Sequence, residues 1–174
     1  IAAQTIHKLD VQSGLIAEVD LPNDNFDIIT MFDVIEHLTD PMNDLNILFQ
    51  KLKLGGRIFI TTHDIETLLA RLSGRHNPML MYQHFYHFSP NTLSRMLQAN
   101  GYRIVSTKRF LKSWSFEYLY HLVEKIWPGT IFASTIQTVL HPFYRVQFIR
   151  KLRIVLPQRD FFMLIAEKPH SNNG

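Results

Sequence analysis

The chain has no cysteine among its 174 residues. That excludes a disulfide framework, zinc–thiolate sites and a cysteine nucleophile, and it accords with a reducing, cytoplasmic setting. No apolar run approaches the roughly 18 residues that a membrane-spanning helix needs, and the N-terminal stretch lacks the pattern of a signal peptide. Glycine is scarce, with seven in all. They nowhere form G-x-G-x-x-G or G-x-G-x-G, so the chain carries no glycine-rich cradle of the dinucleotide type. The first residue is Ile1 and not methionine, which reads as a piece of a longer protein.

What is present is apolar content of 46%, enough over this length for a globular unit with a sizeable core. The net charge of +3 conceals an asymmetry. Between residues 102 and 159 ten Lys and Arg face only Glu117 and Glu124, which leaves the remainder of the chain acidic. Such a bias suits an anionic partner for the later part, and plain solubility explains it equally well.

Strands and helices alternate along the chain. Residues 1–8 read as the tail of a helix, and 9–12 as a short strand before the turn at Ser13-Gly14. Asn23-Asp24-Asn25 is turn chemistry ahead of an apolar strand at 26–31. Asp40-Pro41 supplies an N-cap and a proline at the first helical position. Leu45, Leu48 and Leu52 then recur at helical spacing, and Gly55-Gly56 is the expected stop. A strand at 57–62 follows. Asp64 can cap a helix carrying Ile65, Leu68, Leu69 and Leu72, ended near Gly74. Ser89-Pro90 opens another helix, stopped at Gly101, and strands follow at 102–107 and 161–167. This alternation predicts a parallel α/β sheet. Residues 111–157 break the rhythm with a long, aromatic, mostly helical insertion before the last strand. The expected organisation is a core over 1–110, an insertion over 111–157, and the last strand with a disordered tail over 158–174.

The strand at 26–31 runs through Phe32 into Asp33-Val34-Ile35-Glu36-His37. Three polar side chains at the carboxyl end of a buried strand stand where open α/β sheets keep their ligands. Asp33, Glu36 and His37 lie at i, i+3 and i+4, so a helical turn would bring them to one face. Two carboxylates and an imidazole make an oxygen/nitrogen set suited to Mg²⁺ or Mn²⁺. The simpler reading is that Glu36 and His37 only brace the loop.

Several stretches together resemble the class I S-adenosylmethionine-dependent methyltransferases of the Asp/Glu-x-x-Glu-His branch. They are Leu9-Asp10-Val11-Gln12-Ser13-Gly14, Asp20-Leu21-Pro22-Asn23-Asp24-Asn25-Phe26-Asp27, the 33–41 segment, Leu52-Lys53-Leu54-Gly55-Gly56-Arg57, and His84-Phe85-Tyr86-His87-Phe88-Ser89-Pro90. The ordered set covers roughly residues 1–110 and begins just before the family's third strand. The resemblance implies an α/β Rossmann-like methyltransferase sheet lacking its first strands and glycine-rich loop, with a helical insertion before the last strand. Because those parts normally hold the cofactor, the chain as it stands is expected not to bind S-adenosylmethionine unaided.

The resemblance also implies roles for particular residues. Phe32 is expected beside the sulfonium end of S-adenosylmethionine, and Leu15 and Ile16 where the family packs the adenine. Core packing is the plainer reading of Leu15 and Ile16. In metal-using relatives the motif and a later histidine hold a divalent ion, which here implicates Asp33, Glu36, His37 and His84, with Mg²⁺ as the ion and His87 as a second candidate for the later histidine. Methyl transfer itself asks chiefly for in-line positioning. A hydroxyl acceptor would also use a base, for which His37 and His84 are the expected catalytic residues.

The insertion interleaves Trp114, Phe116, Tyr118, Tyr120, Trp127, Phe132, Phe143, Tyr144 and Phe148 with basic residues. In the family this position holds the acceptor-binding cap. The expected acceptor is a small molecule, a glycan or a lipid-linked compound, with peripheral membrane contact through 111–157. No nucleic-acid motif is present, and no nucleic acid is expected as partner. The competing reading is a non-catalytic methyltransferase-like scaffold that binds an anionic partner through its basic insertion. A nicotinamide-dependent dehydrogenase is disfavoured, because nothing here resembles a hydride-transfer site.

Overall fold

The computed structural model describes residues 11–67, 70–71, 80, 82–111, 113–155 and 160–170. Its main sheet has four strands: β1 (Phe26–Phe32), β2 (Leu52–His63), β3 (Arg103–Phe110) and β6 (Phe161–Glu167), in the order β1-β2-β6-β3. β1 and β2 run parallel. β6 enters between β2 and β3 antiparallel to both, so the sheet is mixed where the alternation predicts it parallel. The segment 113–155 returns the chain to the end of the sheet where β3 stopped, with Phe161 opposite Phe110 and His63, which leaves β6 only the antiparallel direction.

The helix predicted at Asp40-Pro41 is α1 (Pro41–Lys51), with the Asp40 side chain accepting from the Asn43 amide. That bond satisfies one of the orphan donors of the first turn. The Ser89-Pro90 start is α2 (Pro90–Ala99), where Ser89 and Thr92 form a reciprocal capping box. Leu45, Leu48, Leu93 and Leu97 turn inward and pack with Ile58, Ile60, Phe162, Leu164 and Ala166 of the central strands. Each fully buried side chain of this size contributes about 1.5–3 kcal/mol. Buried Tyr102, just before β3, ties the α2–β3 connection to α1 through its hydroxyl, which donates to the Leu45 carbonyl at 3.0 Å. Burial raises its pKa well above the ordinary phenol value, so the donor persists across ordinary pH.

Gly55-Gly56 does not end the helix. α1 already stops at Lys51, and both glycines lie inside β2. The β1–β2 register jumps there, from Phe26 opposite Leu52 to Ile28 opposite Arg57, so the glycines form an irregularity that the sequence pattern hides. A Cβ at Gly56 would lie 2.9 Å from the Lys53 carbonyl oxygen and 3.0 Å from that of Phe26. Gly56→Ala should therefore lower the unfolding free energy by about 1–3 kcal/mol, as overpacking against rigid backbone does. An unchanged urea midpoint would show that the backbone yields freely at this point.

The segment after β3 holds β4 (Ser113–Ser115), α3 (Phe116–Ile126), α4 (Ile131–Tyr144), α5 (Gln147–Arg150) and β5 (Arg153–Val155), with β4 and β5 paired antiparallel. α3 and α4 are joined by aromatic and imidazole contacts. Tyr120 stacks on Tyr144 at 4.4 Å, and His121 meets the Tyr144 hydroxyl at 3.1 Å. Trp114 stacks on Tyr118 at 4.5 Å and lies 6.3 Å from Phe161 at the start of β6, which seats β4 and α3 against the sheet. The expected helix over 1–8, residues 9 and 10 of the expected strand, residues 68, 69 and 72–74 of the expected helix after Asp64 and the expected disorder after 170 fall outside the described residues. Residues 11 and 12 themselves are not in a strand.

Candidate functional site

The end of β1 is turned by Asp33, which adopts φ +53°. Aspartate tolerates this left-handed conformation better than most residues. Its amide donates to the Thr61 carbonyl at 3.0 Å, and its carboxylate accepts from the Thr61 hydroxyl at 3.2 Å. The chain becomes a 3-10 turn only afterwards, at Ile35–His37. Asp33, Glu36 and His37 therefore do not share one helical face. Asp33 stays exposed beside Thr61, whereas Ile35 and Glu36 are driven inward, with Glu36 only 2% exposed.

The turn grips the loop that carries the second half of the site. The Glu36 carbonyl accepts from the amides of Phe85 and Tyr86 at 2.9 and 3.3 Å. His37 Nδ1 lies 2.9 Å from the Gln83 carbonyl, which orients the ring as a donor at that nitrogen. The rings of His37 and His84 meet edge-on at 4.8 Å. One ligand-type atom from each of Glu36, His37 and His84 lies within 4.8 Å of the others. Both oxygens of the Glu36 carboxylate are buried without a hydrogen-bond partner. A buried polar atom left unsatisfied is costly, and where a fold retains one it calls for an explanation such as a bound water, an ion or a catalytic role.

Glu36 and His84 form part of the polar floor of a cavity of about 250 Å³, while exposed His37 stands beside them outside its lining. Asp64, His63, His87 and Asp160 complete the floor, and Leu119, Leu122, Val123, Ile126 and Trp127 make an apolar wall and roof from α3 and the turn after it. Asp64 is 3% exposed and is held by Arg109 at 2.8 Å. His87 titrates below the ordinary imidazole value, because burial and then the neighbouring His84 disfavour its cation. Tyr118 titrates above the ordinary phenol value, through burial and then the Asp160 charge. A neutral imidazole, a phenol hydroxyl and an unpartnered carboxylate can together receive a hydroxyl-bearing molecule and accept its proton.

The other residues singled out in the sequence lie elsewhere. Phe32 is 56% exposed at the end of β1 and Leu15 is 63% exposed, while Ile16 is partly buried against the core. None of the three lines the cavity. The sequence reading passes over His63, Asp64 and Asp160. A signal was available for the first two, since they follow the apolar run of β2 as Asp33 follows that of β1. For Asp160 there was none, because only long-range packing brings it to the floor, whereas Trp114, Tyr118 and Trp127 belong to the aromatic insertion expected to cap the acceptor.

Comparison with known proteins bears on the fold that carries this site. Residues 3–107 match a family described as a methyltransferase domain. A probable S-adenosylmethionine-dependent methyltransferase of Mycolicibacterium smegmatis is 28% identical over 100 residues, covering 58% of this chain. The matched stretch spans 37% of that protein's length. Among solved structures, the YcgJ protein of Bacillus subtilis superposes with a TM-score of 0.60 at 17% identity, covering 97% of this chain and 76% of the other. A SAM-dependent methyltransferase of Archaeoglobus fulgidus gives 0.55 at 20% identity, covering 91% and 66%. At these identities the structural likeness establishes the shared fold.

Proposed function

Since this chain belongs to the methyltransferase-domain family, we propose that it carries the acceptor side of an S-adenosylmethionine-dependent methyltransferase whose target is a hydroxyl of a small molecule, a glycan or a lipid-linked compound. The observation that supports this most is the buried, unpartnered Glu36 carboxylate, which shares the floor of an apolar-walled cavity with His84 and has His37 within ligand distance. An apolar wall with a few convergent polar groups is the usual build of a small-molecule site.

S-adenosylmethionine supplies an already activated methyl group, so this chain has only to bind, orient and deprotonate. Toward the cofactor it offers exposed apolar Leu15 and Phe32 and partly buried Ile16, which fit the apolar faces of such a molecule but provide no glycine-rich cradle. Toward the acceptor, the helix-borne side chains exclude water from the cavity, which strengthens every polar contact on its floor. His84, set against His37 and Glu36, is placed to take the hydroxyl proton at a ring nitrogen.

The same cluster suits a divalent cation. One carboxylate and two imidazoles, with the carboxylate otherwise unsatisfied, favour an ion such as Mn²⁺ or Zn²⁺ over Mg²⁺, which prefers oxygen ligands. Glu36, His37 and His84 would hold it, and it would supply Lewis acidity toward the acceptor oxygen. Asp33 lies outside this group.

Methyl-labelled S-adenosylmethionine offered to the full-length protein with fractionated metabolites should label a hydroxyl-bearing acceptor. His84→Ala should cut that labelling by about 100-fold, the lower end of what a positioned base contributes. S-adenosylhomocysteine affinity, read by calorimetry, should stay the same. A parallel fall in both would show that His84 supports the fold or the cofactor and does not act on the acceptor.

A further inference from the structure

We infer that the outward face of α4 docks on an anionic lipid surface. The inference uses neither the cofactor nor the Glu36 cluster, so it stands apart from the methyl-transfer reading. Along α4, Phe132, Ile136, Val139 and Phe143 recur at helical spacing and share one side. Phe132, Val139 and Phe143 are 56%, 63% and 51% exposed. The side adjoining this stripe is the one that packs. Ala133 is fully buried, the Gln137 amide reaches the Tyr120 carbonyl, and Tyr144 stacks on Tyr120 of α3. The helix thus keeps a strip of large apolar residues in solvent beside its exposed Ser134, Thr135 and Thr138, where a helix built only to face water would carry polar ones. Ile131 before this stripe and Phe148 beyond it, 86% and 81% exposed, extend the apolar surface at both ends. A contiguous exposed patch of this kind marks a contact surface.

Charge selects the occupant. Lys125, Arg145 and Lys151 are exposed near the ends of these helices and form no ion pair with a described residue. Arg150 rests 5.6 Å above the Tyr144 ring, with Glu117 at 3.8 Å. Glu117 and Glu124 are the only acidic residues between 113 and 155. A second copy of this chain docking face to face would set these cations against their own counterparts, whereas anionic headgroups complement them. Trp127 completes the pattern. It is 39% exposed, packs edge-on against Phe132 at 5.2 Å, and suits the headgroup level of a bilayer. No described helix is long and apolar enough to cross a membrane, so α4 lies in the interface plane. Trp127 also lines the cavity, which places the cavity wall beside the docked face.

Vesicle flotation tests this. The protein should float with vesicles of phosphatidylglycerol and phosphatidylcholine in equal parts, and at least about tenfold less with phosphatidylcholine alone or at high salt. The triple variant Phe132→Ser/Val139→Ser/Phe143→Ser should lose about tenfold or more of the binding, with its circular dichroism unchanged. The pair Arg145→Gln/Lys151→Gln, which leaves the apolar face intact, should weaken binding to anionic vesicles only. The inference is overturned if the native protein does not float with anionic vesicles, or if it floats equally with neutral ones. It is also overturned if the charge variant binds undiminished, or if the face instead mediates a dimer that the triple variant dissolves in sedimentation velocity.

Discussion

Glu36→Gln is expected to make the protein more heat-stable and far less active. The carboxylate is 2% exposed and neither oxygen has a hydrogen-bond partner, so the folded state carries its desolvation cost without compensation. Glutamine keeps the shape, removes the charge and brings amide hydrogens that the neighbouring imidazoles can accept. Relief of an unsatisfied buried polar group is worth about 1–3 kcal/mol, which for a chain of this size corresponds to a rise of several degrees in Tm. Melting should be followed with a chelator present, so that loss of an adventitious ion does not mask the gain. Methyl transfer should fall by at least about 100-fold, because the cluster loses its only carboxylate. Opposite signs in stability and activity are the signature of a residue retained for function at the fold's expense. A lower Tm for the variant would mean that Glu36 is structurally partnered, and would sink its place in the site.

The second large effect concerns Asp64 and Arg109. Asp64 sits where β2 leaves the sheet, and its carboxylate does three things. It accepts from the Glu66 amide, receives the Arg109 guanidinium from β3, and lines the cavity floor. Its side chain is 1% exposed, against 47% for that of Arg109. Removing the arginine therefore strands a buried carboxylate, and Arg109→Ala should cost about 3 kcal/mol. That is the lower end for breaking a buried pair, because water can follow the vacated, half-open side of the guanidinium. Adding Asp64→Asn should recover most of the loss, since the amide oxygen still serves Glu66 and no charge remains buried. A double-mutant cycle by urea denaturation reads the coupling directly. Strictly additive losses would show that the two side chains do not depend on each other, and that other contacts hold the cavity floor.

Local chemistry was legible in the residues themselves. Asp40-Pro41 and Ser89-Pro90 start helices because a short polar side chain meets the orphan amides, and because proline has no amide to waste there. The apolar runs of β1 and β6 were readable as strands, but only central β6 is buried as such a run predicts. β1 lies at the sheet edge with Ile28 and Phe32 exposed, so the expected buried strand there is corrected. The resemblance to methyltransferases came from the order of short stretches across the first two-thirds of the chain, and residues 3–107 match that family. The 33–37 motif stood out as a candidate site, but its shape did not. Only the left-handed turn at Asp33 separates that residue from Glu36.

The sequence by itself determined the elements, their caps, the family and the strand end where polar chemistry collects, because each rests on neighbours a few residues apart. The tertiary structure alone decided that β6 returns antiparallel and that Gly55-Gly56 lies within a strand. It also brought Glu36, His84, Tyr118 and Asp160 around one cavity, and turned the apolar side of α4 outward. Those outcomes depend on contacts between residues tens of positions apart. There, packing and desolvation outweigh the local preferences that a sequence pattern records.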